Sequence, residues 1–155
     1  MLRKIEFEWP EIGIEVSATL LEEGEPEICD LLWKNLENPL KLICRHPLST
    51  GCEYGAEIRP PRHPVKGGSY TKPLGRKEWL LSRVEPGSVL YAVFGGYGGI
   101  SLFYGQCNEP VPARGALVAK VDEEDMADFV RAGEAVWNAQ YMTHRPVIMI
   151  ARRKQ

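Results

Sequence analysis

Residues 86–106 read PGSVLYAVFGGYGGISLFYGQ, and the reading of this stretch decides the fold. A Pro-Gly turn leads into an apolar run at residues 89–94, rich in Val, Leu, Tyr and Phe. A second run follows at residues 100–104. Both have strand length and composition, so they predict two adjacent buried strands. Between them lies Gly95-Gly96-Tyr97-Gly98-Gly99, where glycine lets the backbone turn tightly or approach a ligand. A phosphate cradle is one reading of that loop. It lacks the GxxxxGK[ST] spacing, and no helical pattern follows to offer an N-terminus to an anion. A plain strand connection is the better reading.

Working outward, residues 3–20 form an amphipathic hairpin. Ile5, Phe7 and Trp9 point one way and Lys4, Glu6 and Glu8 the other, and residues 10–13 turn the chain into a second alternation. Pro26 opens a helix whose stripe is Ile28, Leu31, Leu32 and Leu36. Strands are predicted at 40–45 and 53–58, joined by the polar loop 46–51. Residues 59–77, RPPRHPVKGGSYTKPLGRK, are Pro-, Gly- and base-rich without apolar period, and predict a flap or interface loop before Trp79, Leu80 and Leu81 return to the core. A loop at 106–114 precedes a strand at 115–121. Asp122 has the character of an N-cap for a helix ending near Ala139, and residues 147–150 form a last strand. Seven to nine strands with two helices and no βαβ alternation predict a mainly β fold: a closed or nearly closed antiparallel barrel whose ends the helices cover. Residues 1–155 are read as one domain, with the long loop at 59–78.

Composition sets the function classes aside. The chain has 155 residues, 44% hydrophobic and 26% charged, and its net charge of −2 gives no drive toward nucleic acid or acidic membranes. The only basic run is Arg152-Arg153-Lys154. No apolar stretch has the length of a membrane span, and the opening MLRKIEFEWP lacks the apolar middle of a signal peptide, so a cytoplasmic location is expected. Cys29, Cys44, Cys52 and Cys107 form no CxxC pair and have no histidine at zinc-ligand spacing. Free thiols are expected, a Cys44–Cys52 bridge being the lesser alternative. No metal and no cofactor is predicted.

The order of elements resembles the cyclophilin-like fold. VSATLLEEGEPEICDLLWKNL, residues 16–36, is similar to the cyclophilin opening in which a strand meets a Pro-led helix. The stretch at 86–105 is similar to the cyclophilin strand–glycine loop–strand ending in paired aromatics. The closer resemblance is to small bacterial cyclophilin-like proteins with an LLE-x-x-x-P-x-x-C-x-x-x-W start and an LFYG strand, matched here by residues 20–33 and 102–105. That family is related to cucumopine synthase, which joins histidine to 2-oxoglutarate in a ring-closing condensation. The resemblance implies the barrel. It does not imply proline isomerisation, because the cyclophilin Arg, Phe, Gln and Trp pattern has no match, Arg59 before Pro60-Pro61 being a poor stand-in.

The resemblance also implies a site, since the family's Arg, Ser-Gly and Glu match Arg45, Ser49 or Thr50, Gly51 and Glu53. A loop lying near the LFYG strand would let Glu53, His46 and Tyr104 share a pocket at the barrel mouth. There a desolvated carboxyl would work as the base, histidine as the acid, and a tyrosine hydroxyl as donor to a developing oxyanion. Arg114 would take a substrate carboxylate through its two-pronged donor geometry, and His63, in the basic flap, would close over an anionic ligand. The plainer readings are a solvated glutamate, a core-capping tyrosine and a surface arginine. Cys52 is a weak nucleophile candidate, and His144 precedes Arg145-Pro146 in a connection with no expected chemistry. The predicted function is a small-molecule enzyme acting on an amino-acid-derived or cyclic-amide substrate. The competing reading is a non-catalytic module in which the flap and the glycine loop with Tyr97 grip a metabolite or peptide. A homo-oligomer built through the flap is a third.

Overall fold

The computed structural model describes residues 1–58, 61–75 and 80–155. Eight strands are present among them: β1 (Lys4–Trp9), β2 (Ile14–Leu20), β3 (Leu40–Arg45), β4 (Gly51–Ile58), β5 (Ser88–Phe94), β6 (Tyr97–Cys107), β7 (Ala116–Val121) and β8 (Ile148–Arg153). They close into a barrel in the order β1-β2-β7-β5-β6-β4-β3-β8, every neighbouring pair antiparallel. The chain is thus mainly β, with two α-helices, α1 (Pro26–Asn35) and α2 (Met126–Asn138). Closure depends on β8, which lies between β1 and β3 and removes the free edges that either would otherwise show.

The alternation predicted at the N-terminus is the barrel's inner face. Ile5, Phe7 and Trp9 are fully buried, and Val16, Ala18 and Leu20 meet them from β2. One end of the barrel is covered by α1, through Ile28, Cys29 and Leu32. The other is covered by α2, through Phe129, Ala132, Gly133 and Val136. Gly133 sets the distance: a Cβ there would lie 2.3 Å from the Tyr104 ring, so only glycine lets α2 settle onto β6.

Two expectations change on the structure. The five-residue glycine loop shrinks to a two-residue turn, Gly95 (φ 44°) and Gly96 (φ 86°), and β6 already begins at Tyr97. Gly98 belongs to the strand through its pairing with Val93, and a side chain there would be crowded, Tyr91 and Pro61 lying 3.1 and 3.3 Å from where its Cβ would stand. Asp122 does not cap a helix with its side chain. Its carboxylate accepts from Lys4 Nζ at 2.5 Å and Thr19 Oγ1 at 2.7 Å, tying β7 to the first hairpin. Asp125 then takes the backbone N–H of Ser17 at 2.8 Å. All four cysteines are free thiols, so no Cys44–Cys52 bridge forms.

The Pro- and Gly-rich segment, over residues 61–75, is tied down. Leu74 N–H donates to Val93 O at 2.9 Å, Gly95 N–H to Gly67 O at 2.9 Å and Gly96 N–H to Val65 O at 2.8 Å. The fully buried Asn35, at the end of α1, accepts from His63 N–H at 2.6 Å and donates to the Tyr91 hydroxyl at 3.0 Å. Arg59 and Trp79, named above, lie outside the described residues.

Gly133→Ala is expected to lower unfolding free energy by about 1–3 kcal/mol, because the added methyl must displace α2 or Tyr104. Urea denaturation monitored by tryptophan fluorescence measures it, and an unchanged midpoint would show that the helix has room to move away.

Candidate functional site

The barrel wall formed by β4, β6 and β5 has two faces, and strict alternation decides what each carries. Tyr54, Leu102, Tyr104, Val89 and Tyr91 point inward, into the main core. Glu53, Ser101, Phe103 and Leu90 point outward. A second, smaller core sits on that outer face, built from Val84, Leu90, Phe103, Cys107 and Ala113 with Leu81 and Leu117 beside it. Two connections cover it, and they are joined to each other where Leu81 N–H donates to Val111 O at 2.8 Å and Leu80 bridges to Pro112. Between cover and sheet lies a cavity of about 630 Å³. Leu90 and Phe103 form its floor, Leu81, Val111 and Pro112 its apolar wall, and Thr50, Glu53, Ser101 and Arg114 its polar groups.

Glu53 stands directly opposite Phe103 in the ladder, just past an irregularity between Gly51 and Glu53. Burial beneath the covering connections raises its pKa above the usual carboxylate value of 4.5. The hydroxyl of Thr50, donating to Oε1 at 2.7 Å, works the other way by supporting the ionised form, and nearby Glu109 adds to the rise. The upward effect wins because one hydrogen bond replaces only part of a carboxylate's lost hydration. Arg114 holds its guanidinium over the Tyr70 ring, 3.4 Å from the centroid, and donates from Nη1 to Tyr70 O at 3.0 Å. Among the described residues the cavity therefore offers a proton-accepting carboxyl, Glu53, and a cation, Arg114, that lies over the Tyr70 ring.

His46 and Tyr104 do not join this cavity. Phe103 faces out, so Tyr104, one residue on, faces in, and the sheet itself separates Glu53 from the other two. This cavity lies on the outer wall of the barrel, whereas the shared pocket was expected at its mouth. On the inner side, His46 Nδ1 sits 2.8 Å from Pro47 O, which only accepts, so Nδ1 carries the proton. Nε2 is then the acceptor, and the Tyr104 hydroxyl donates to it at 2.7 Å. The His46 ring is stacked on Tyr54, and its carbonyl accepts from Tyr141 Oη at 2.7 Å. Burial lowers the His46 pKa below 6.5 and raises that of Tyr104. Burial thus favours the neutral form of both groups, which lie at the start of the loop that ends at Thr50.

The remaining predicted residues divide as clearly. Thr50 and Arg114 line the cavity. Arg45 is exposed beside a separate groove between the end of β3 and the turn Ala139–Thr143 that follows α2. Ser49 is exposed on its loop. Tyr97 stacks on Phe94 at the hairpin turn, with centroids 4.8 Å apart. His63 is exposed, with Nε2 3.9 Å from Glu37 Oε2. Sequence reasoning missed Ser101, Phe103, Leu81, Thr71 and Val111. The alternation of β6 could have supplied the first two, since an LFYG strand must show Phe to one side and Tyr to the other. Among the described residues no three His, Cys, Asp or Glu side chains gather to hold a metal ion, and no helix is long and apolar enough to cross a membrane.

No protein-family model matches the sequence, and no curated protein matches it. Among solved structures, the structure of McbB in complex with tryptophan superimposes with a TM-score of 0.78 at 29% sequence identity, covering 97% of this chain. The fold is the cyclophilin-like barrel. This chain spans 44% of the length of the McbB chain, so the likeness takes in the whole cyclophilin-like barrel and under half of the neighbour.

Two opposite pH dependences follow from the two faces of the wall. The fold favours protonated Glu53, so its contribution is full below the ordinary carboxylate range and is lost as pH rises through the raised value. The fold favours neutral His46, so stability falls as pH drops below 6.5. Urea unfolding between about pH 4 and 8 should show Glu53→Gln gaining on the parent as pH rises, and His46→Gln losing the decline on the acid side. Parallel curves for parent and variants would contradict both assignments.

Proposed function

We propose that this chain is a small-molecule enzyme that works by acid–base chemistry in the outer-wall cavity, on an amino-acid-derived or cyclic-amide substrate. One observation carries the reading: a desolvated carboxyl with a raised pKa shares a cavity of about 630 Å³ with a guanidinium over an apolar floor. Such a volume suits a small molecule, and convergent polar groups over aromatic walls are how such sites fix orientation. A carboxyl whose pKa has moved toward neutrality can both take and return a proton. Glu53 is the base in this reading, with Thr50 holding one oxygen so that the other faces the ligand. Arg114 receives a ligand carboxylate or a developing oxyanion, and Phe103 and Leu90 receive an apolar side chain or ring.

McbB, at 29% identity, was solved with an amino acid bound, which supports a ligand of this class here. His46 and Tyr104 enter the proposal only as supports: they fix the start of the loop whose end presents Thr50 to Glu53. The alternative is a binding module without turnover. It has its own support in the way residues 61–75 pack beside the cavity, where Thr71 joins the lining.

A thermal-shift panel of amino acids, keto acids, lactams, imides and hydantoins is expected to yield a stabilising ligand, at about 2.7 kcal/mol for a hundredfold excess over Kd. Turnover of that ligand should fall about 100-fold or more in Glu53→Gln while binding persists. Unchanged turnover would remove Glu53 from the chemistry, and a ligand that binds but emerges unaltered would select the binding module.

A further inference from the structure

We infer that Tyr70 is a positioning residue of this site: its ring and its carbonyl together hold the Arg114 guanidinium in place to receive a ligand carboxylate. The inference rests on the proposed function and assigns a role to a residue outside the barrel. Arg114 lies on an exposed connection, where a long flexible side chain would ordinarily sample many rotamers. Here two features of one residue restrain it. The Tyr70 ring covers one face of the guanidinium at 3.4 Å from the centroid, and Tyr70 O takes one of its N–H groups at 3.0 Å. The remaining N–H groups are left for a carboxylate, whose planar fork matches theirs.

Tyr70 is itself held from behind. Its ring meets Phe94 edge-on at 6.0 Å, and Phe94 stacks on Tyr97 at 4.8 Å, so three aromatics in series lead from the β5–β6 turn to the cation. The backbone around it is a closed turn, in which Ser69 and Lys72 exchange N–H to O bonds at 3.1 Å in both directions. Core packing does not explain this arrangement. Tyr70 is 58% exposed, so burying apolar area is a minor reason for its place. What the ring does contact is the cation and Phe94. A preformed cation spares the ligand the cost of ordering it, and that saving appears as affinity for a carboxylate over its neutral counterpart.

The test compares L-tryptophan with L-tryptophanamide, which differ at the carboxylate alone, by calorimetry on the full chain. The parent is expected to prefer the acid. In Tyr70→Ala that preference should fall about threefold to tenfold, the range of an exposed to partly desolvated cation–π contact, and in Tyr70→Phe it should be kept. The Arg114 Nε–H proton resonance, assigned by its loss in Arg114→Lys, should lie upfield in the parent and in Tyr70→Phe and move downfield in Tyr70→Ala. Equal preference in parent and Tyr70→Ala, or an Arg114 resonance that ignores the ring, overturns the role of Tyr70 and leaves the proposed function standing. A parent that binds neither compound overturns the amino-acid reading and this inference with it.

Discussion

Closure of the barrel by β8 is the constraint on which the rest depends. Its backbone pairs with β1 on one side and β3 on the other, joining the end of the chain to its beginning and its middle. A closed ladder leaves no edge, so no strand can slip without breaking hydrogen bonds on both flanks. Register is therefore rigid all the way round, and with it the face to which every side chain points. Glu53 is outside and Tyr54 inside for the same reason that Phe103 is outside and Tyr104 inside. A polar group on such a wall has its position set by hydrogen bonds it does not itself make.

The two faces of the β4–β6 wall then carry different chemistry. The outer one is apolar around the Glu53 carboxyl, and it is covered by connections joined through Leu81 and Val111. Partial burial between cover and floor desolvates the Glu53 carboxyl and moves its equilibrium toward the neutral acid. The inner one carries a neutral histidine whose two ring nitrogens are both engaged, one by a carbonyl and one by a tyrosine. The loop from His46 to Thr50 belongs to both. It starts in the core and ends with a hydroxyl on the Glu53 carboxylate, so it joins the inner face to the outer one.

The segment 61–75 takes its order from partners distant in sequence. Proline, glycine and basic residues without apolar period suggested a flap or interface loop, and Asn35, Val93, Gly95 and Gly96 each fasten it by hydrogen bonds. Those partners lie on α1 and the β5–β6 turn, far from the segment's own sequence neighbours. Its composition served a different purpose: glycines where the turn approaches Phe94, and Pro61 packed against Gly98. The glycine run at 95–99 divides for a similar reason. Two of its members turn the chain, and Gly98 makes room for a neighbour.

The sequence by itself determined the secondary elements and the class. Alternation in residues 4–20, the Pro-led helix at 26, the paired runs around the glycine turn and the amphipathic helix after 122 are local patterns, and a local pattern is legible without a partner. It also determined that Glu53, Thr50 and Arg114 were worth watching, through residue type and a family resemblance. Only the tertiary structure decided which candidates meet. The parity that sends Glu53 outward and Tyr104 inward is set where β4 pairs with β6, and the irregularity after Gly51 shifts that pairing in a way no single strand reveals. The cation of Arg114 reaches the cavity over Tyr70, 44 residues away in the chain, because two connections fold onto the same outer wall. Side-chain chemistry is written residue by residue, but desolvation and proximity are properties of surfaces brought together, and those exist only once the barrel has closed.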